Sequence, residues 1–218
     1  MDIRVGPEPE SRAATWIAGR LQNAIRRRGS ASLALSGGGT AQPMIDALIK
    51  LDVEWASVAV WQVDERIAPD GDAARNAGQL AELSVLACRV RLMPVTADDL
   101  RAAARRYGAS LPERFDVVHL GLGTDGHTAS WPPGADAVRD SARPVELTPE
   151  FNGLRRMTLT RPVINRARSR AVLAIGASKR PMVERWLLDD RSLPISAVRR
   201  ASTWIFLDGT AAPLAVLH

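Results

Sequence analysis

The chain has 218 residues, 46% hydrophobic and 24% charged, which suits one globular domain with a sizeable core and excludes a disordered or fibrous chain. With 29 basic and 24 acidic residues the net charge is +5, which favours anionic ligands. The arginines form only short clusters (26–28, 105–106, 155–156 and 199–200) and there is one tyrosine, so nucleic-acid binding by base stacking has little material.

The N-terminus, "MDIRVGPEPES", lacks a charged-then-apolar signal pattern, and no run of ~18 apolar residues exists. A cytoplasmic protein without membrane association is expected. Residues 8–28 carry Ala14, Ile17, Ala18, Leu21 and Ile25 at helical spacing and stop at Gly29. "SLALSGGG" (32–39) reads as a buried strand running into glycines. "TAQPMIDALIK" (40–50) follows as a helix capped by Thr40, with Pro43 tolerated in the first turn. Residues 58–66 read as a strand entering a loop and 76–87 as a helix. Cys88, the single cysteine, excludes an internal disulfide and reads as core filler. Next come a strand at 90–95, a capped helix at 96–108 and a strand at 115–123. "RRMTLT" (155–160), a strand at 169–177, a helix at 178–188 and a last strand at 202–208 complete the pattern. Alternating strands and helices predict a doubly wound, mostly parallel α/β sheet in a single domain spanning 1–218. The less regular stretch 134–160 predicts a smaller insertion or an antiparallel addition.

In such a sheet, ligands bind outside the carboxyl ends of the strands. Four segments placed there are rich in chemistry: 36–40, 64–76, 121–131 and 176–179. The glycine run Gly37, Gly38, Gly39 with Thr40 lies between a strand and a helix N-terminus, which makes an anion site; no Walker A lysine follows. In "GLGTDGHTASWPPG", Gly121, Gly123 and Gly126 spell G-x-G-x-x-G. A dinucleotide turn needs the third glycine to open a helix, and Pro132 and Pro133 follow too soon, so the match reads as accidental. His127 is the one histidine in a glycine-rich turn at a strand end, where it can take a proton from water. Asp125 stands ready to orient it, though an Asx-turn with a structural histidine fits the same residues. His119 reads as a satisfied buried residue and His218 as a solvated terminus. Asp64, Glu65 and Arg66 emerge together as a loop-shaping ion cluster or, through Arg66, a fork for an anion. Arg156 and Lys179 are solvated charges or phosphate partners. No His/Cys cluster has metal-ligand spacing and no G-x-S-x-G elbow occurs, so neither metal nor cofactor is expected.

Taken together, "LALSGGGTAQPMIDAL", "VDERIAPDGDAARN", "LGLGTDGHTAS", "RRMTLT" and "IGASKRPMVERWL" resemble the 6-phosphogluconolactonase family, in its order and approximate spacing, from about residue 8 to 206. A broader kinship joins that family to glucosamine-6-phosphate deaminases. The resemblance implies hydrolysis of 6-phosphoglucono-δ-lactone to 6-phosphogluconate in the oxidative pentose phosphate pathway, by a monomer or small homo-oligomer. It implies that His127 activates water, with Asp125 beside it; the chemistry of such a reaction also needs an oxyanion stabiliser, for which backbone N–H groups of 121–126 or Arg66 are the candidates. By the same resemblance, Gly37, Gly38, Gly39, Thr40, Arg156 and Lys179 face the phosphate, and Asp64, Glu65, Arg66 and Asn76 lie near the sugar. Four positions depart from the family pattern: Gly39 and Ala41 replace a serine and a proline, Thr124 an acid, and Arg75 a serine. An amino-sugar-phosphate deaminase would carry a glutamate where Pro132 stands and an aromatic residue where Arg66 ends the Asp-Glu-Arg triplet. A non-catalytic sugar-phosphate regulator would bring a DNA-binding segment, for which nothing before residue 30 is spare.

Overall fold

The computed structural model describes residues 1–86 and 89–216. The readings of Cys88 and His218 therefore lie outside the described residues. In chain order, β1 (Asp2–Val5) leads to α1 (Pro9–Arg28), which ends where Gly29, at φ 75°, donates its N–H to the Ile25 carbonyl. Then come β2 (Ala31–Leu35), α2 (Ala41–Ile49), β3 (Val58–Gln62) and β4 (Asp64–Arg66). A 3-10 segment (Asn76–Leu80) runs into α3 (Ala81–Val85), followed by β5 (Arg89–Arg91), α4 (Leu100–Ala109) and β6 (Val117–Gly121). The last elements are α5 (Asp136–Arg139), β7 (Val145–Leu147), β8 (Arg156–Leu159), α6 (Arg161–Arg166), β9 (Ser169–Ala174), α7 (Arg180–Leu187) and β10 (Thr203–Leu207).

Seven strands form one parallel sheet in the order β1-β10-β9-β6-β2-β3-β5. Alternate side chains of its strands feed two cores. Leu33, Leu35, Val117 and Leu173 pack against α1 and α2. Ala34, Val118, Leu120 and Val172 pack against α4, α6 and α7 on the other face. A second sheet, β4-β8-β7, is antiparallel and supplies the expected addition. It is larger than 134–160 alone, because β4 departs from the main sheet at Val63 to join it. The direction of winding reverses between the parallel neighbours β2 and β6: from β2 the chain winds toward β3, and from β6 toward β9. A crevice opens at such a switch point.

Several local expectations change. The 96–108 helix begins at Leu100, because Asp99 rather than Thr96 accepts the Ala102 N–H and caps it. The Thr40 hydroxyl makes no capping hydrogen bond to α2. The strand expected at 90–95 ends at Arg91, and its Pro94 has no N–H to give a ladder. His119 is buried as expected, but its ring has only the Ser36 backbone beside it and no well-formed hydrogen bond on either nitrogen. Burial pushes it down to about 4, offset only in part by the Ser36 backbone.

Candidate active site

The loops after β2, β6 and β9 meet β4 and β8 around a cavity of about 300 Å³ at the carboxyl end of the parallel sheet. Its wall holds Gly37, Gly38, Gly39, Thr40, Asp64, Arg66, His127, Arg156 and Lys179. Because helices run against the strands, the N-termini of α2 and α7 also face this end, and both favour an anion there.

The histidine end is built by one turn. Gly126, at φ 85°, reverses the chain, and the Gly123 N–H donates to the His127 carbonyl at 2.8 Å. Asp125 Oδ1 accepts the His127 N–H at 3.1 Å and contacts His127 Nδ1 at 2.5 Å. A carboxylate only accepts, so Nδ1 carries the proton of the neutral ring and Nε2 is left basic. Gly123 lies directly beneath this pair: a Cβ there would stand 2.0 Å from Nδ1. Partial burial raises the Asp125 carboxyl, but the hydrogen bonds and charge of His127 outweigh it and hold it below the ordinary carboxylate range. No helix opens at Gly126; Thr128 and Trp131 bridge across a tight turn instead, so the G-x-G-x-x-G spacing does not form the strand–turn–helix of a dinucleotide fingerprint.

The cationic end is built by the second sheet. Arg66 and Arg156 are register partners on β4 and β8, so two guanidinium groups stand opposite each other. Like charges so placed repel, and an anion between them relieves the repulsion. Arg66 Nη1 donates to the Ala74 carbonyl at 2.7 Å and Asn76 Oδ1 at 2.6 Å, while its buried Nε has no partner. Arg156 Nε is likewise buried without a partner, as is the Ser36 hydroxyl in the same cavity wall. Burial lowers the Arg156 guanidinium and the Lys179 ammonium from their ordinary values. The charge of Asp64 partly restores the first and that of Asp125 the second. Asp64 itself is raised by burial despite the Ser130 hydroxyl, which donates to it at 2.6 Å, and despite the two arginines.

Three of the sequence candidates, Asp125, Glu65 and Asn76, are not in the cavity wall; Asp125 reaches it only through the His127 ring. Glu65 is fully buried and accepts the N–H groups of Arg66, Asn76 and Ala77 as well as Gln62 Nε2. Asn76 donates to the Asp64 carbonyl at 2.9 Å. Both act as braces for Arg66. Arg75 is an internal brace too, paired with Glu65 at 3.2 Å and Asp70 at 2.9 Å. Among the described residues, no group of three or more His, Cys, Asp or Glu side chains could hold a metal ion, and no helix is long and apolar enough to cross a membrane.

A basic histidine facing unpaired cations across a switch-point crevice is the arrangement to compare with known proteins. The sequence model of the family described as "Glucosamine-6-phosphate isomerases/6-phosphogluconolactonase" matches residues 8–206. The chain belongs to this family. It is 34% identical over 183 residues to a 6-phosphogluconolactonase of Synechocystis sp., covering 77% of this chain and 76% of that protein. A 6-phosphogluconolactonase of Rhizobium meliloti is 33% identical over 203 residues, with 86% and 88% covered. The crystal structure of a 6-phosphogluconolactonase from Shewanella baltica superposes with a TM-score of 0.87 at 26% identity, over 96% of this chain and 98% of that one.

In this isomerase/lactonase family member, sequence reasoning missed Phe151 and Ser130. Phe151 closes the two-residue turn between β7 and β8, pairing with Leu154. Its ring meets His127 edge-on at 5.1 Å, and the Arg156 guanidinium lies over it at 4.8 Å. The sequence signal was Asn152-Gly153, a hairpin turn pair after an aromatic residue. Ser130 was visible inside the His127 motif, but its partner Asp64 lies 66 positions away.

Proposed function

We propose that the chain is a cytoplasmic 6-phosphogluconolactonase, opening 6-phosphoglucono-δ-lactone to 6-phosphogluconate in the oxidative pentose phosphate pathway. The observation that carries this reading is the cavity itself: His127, held by Asp125 behind it, shares one 300 Å³ space with a glycine loop and three cations. The names of the relatives agree.

In the proposed reaction the phosphate lies against the 37–40 loop, Arg156 and Lys179, and its binding holds the ring in place. His127 Nε2 takes a proton from water as the water oxygen attacks the lactone carbonyl carbon. Asp125 holds Nδ1–H and stabilises the imidazolium that forms. Among the oxyanion candidates, the Gly123 and Gly126 N–H groups already donate to the His127 and Gly123 carbonyls. Arg66, in the cavity wall, is the group assigned to the developing charge. When the ring C–O bond breaks, the imidazolium returns its proton to the leaving oxygen. Asp64 accepts from a sugar hydroxyl.

The deciding assay follows acid release from freshly generated 6-phosphogluconolactone, corrected for spontaneous opening. The expected rate rises in proportion to protein. A rate at background, with ammonia released from glucosamine 6-phosphate instead, would replace the lactonase reading by the deaminase one.

A further inference from the structure

Gln79 makes a contact that neither the family resemblance nor the chemistry of the cavity calls for. It lies in the 3-10 segment Asn76–Leu80, three residues after Asn76 and so on the same face. Its Oε1 accepts the Gly38 N–H at 2.9 Å, and its Nε2 donates to the Gly38 carbonyl at 3.1 Å. One side-chain amide thus grips both polar atoms of one residue in the glycine run. The same carbonyl accepts the N–H of Ala41, the first residue of α2. Gly37 packs so closely on this clasp that a Cβ there would stand 2.1 Å from Asn76 Oδ1 and 2.6 Å from Gln79 Oε1. Gly38 sits at φ 112°, a conformation closed to other residues without strain.

The clasp also sorts the donors of the loop. The Gly38 N–H is occupied by Gln79 and is not available to an anion. The N–H groups of Gly37, Gly39 and Thr40, all in the cavity wall, have no protein acceptor among the described residues. Gln79 itself is outside that wall and lines a separate groove with Gln42, Arg75 and Leu92.

Three glycines in a row are the most flexible stretch a chain can carry, and ordering them on binding costs affinity. We propose that Gln79 is a positioning residue for the phosphate. Its two-point clasp fixes the glycine run before substrate arrives, so that Gly37, Gly39 and Thr40 present their N–H groups together. This rests on the lactonase reading, and it supplies through a remote side chain the order that Gly39 itself cannot.

The test compares Gln79→Leu, which keeps bulk but makes no hydrogen bond, and Gln79→Ala with the unsubstituted protein. Each is assayed on 6-phosphogluconolactone and on unphosphorylated gluconolactone, with inorganic phosphate as competing anion. Both variants are expected to raise KM for the phosphorylated lactone and the inhibition constant of phosphate about tenfold, the scale of losing preorganisation. kcat stays within about twofold, and kcat/KM on the unphosphorylated lactone is unchanged. A Gln79→Leu protein with unaltered KM and phosphate inhibition overturns the proposal while leaving the lactonase reading intact. So does an equal loss on both lactones, which marks a general structural role. Absence of lactonase activity in the unsubstituted protein overturns both.

Discussion

At the amino end of the parallel sheet, Asp116 accepts the Ser32 N–H at 2.9 Å and the Ser32 hydroxyl at 3.1 Å, and pairs with Arg28 and with Arg168 Nε at 3.3 Å. At the carboxyl end, Arg66 and Arg156 face each other, each with a buried Nε lacking a partner, and the Ser36 hydroxyl beside them is also unpaired. The groove at the amino end is the larger, about 470 Å³ against 300 Å³. Size therefore does not mark the site in this protein. Helix C-termini and a saturated carboxylate surround the large groove; helix N-termini and donors without acceptors surround the small one. Buried polar groups that the protein leaves unsatisfied cost stability, so their concentration in one wall points to a ligand that completes them.

Substitutions can break this contrast at either end. His127→Ala should cause the largest effect, a fall in kcat of about 100- to 10,000-fold with an unchanged melting temperature. Turnover within a few-fold of the original would remove His127 from the base role. Lys179→Ala should raise KM for the phosphorylated lactone about 10- to 100-fold, the scale of a charge-assisted contact, with little change on the unphosphorylated lactone. Equal losses on the two lactones would place Lys179 elsewhere.

The other two effects are on stability. His119 is held near 4, below its ordinary value, because burial disfavours its charged form. The unfolded chain therefore binds the extra proton first, and stability present above pH 6.5 is lost as pH falls toward 4. The loss amounts to roughly 3 kcal/mol across that window. His119→Met should flatten the slope, as urea titrations between pH 4 and 7 would record; an identical slope would assign the acid sensitivity to other groups. Asp116→Asn should cost about 2 kcal/mol by leaving buried donors unpaired, with kcat/KM unchanged. A loss of activity at constant stability would show that the amino end takes part in the reaction after all.

Much of this contrast was legible before the structure. The strand-loop-helix rhythm placed 36–40, 64–76, 121–131 and 176–179 at one end of a sheet, because parallel strands must all deliver their following loops there. Each of these segments does reach the cavity wall. What was not legible came from contacts distant in sequence. Gln79 gained its role from Gly38, 41 positions away, and Asp116 from Ser32, 84 positions away. β1 escaped notice because four residues alternate too briefly, and it forms only by pairing with β10 at the other end of the chain. The family resemblance put Glu65 near the sugar together with its neighbours; strand alternation turns it away from the cavity to bind backbone N–H groups instead.

The comparison of the two ends comes down to where the ligand sits. Amide chemical shifts recorded while titrating the protein with 6-phosphogluconate would locate it directly. The account predicts changes concentrated at Gly37, Gly39, Thr40 and the 121–128 turn. Changes concentrated instead at Gly29, Ser30, Ser32 and Ala59, around the larger groove, would contradict it.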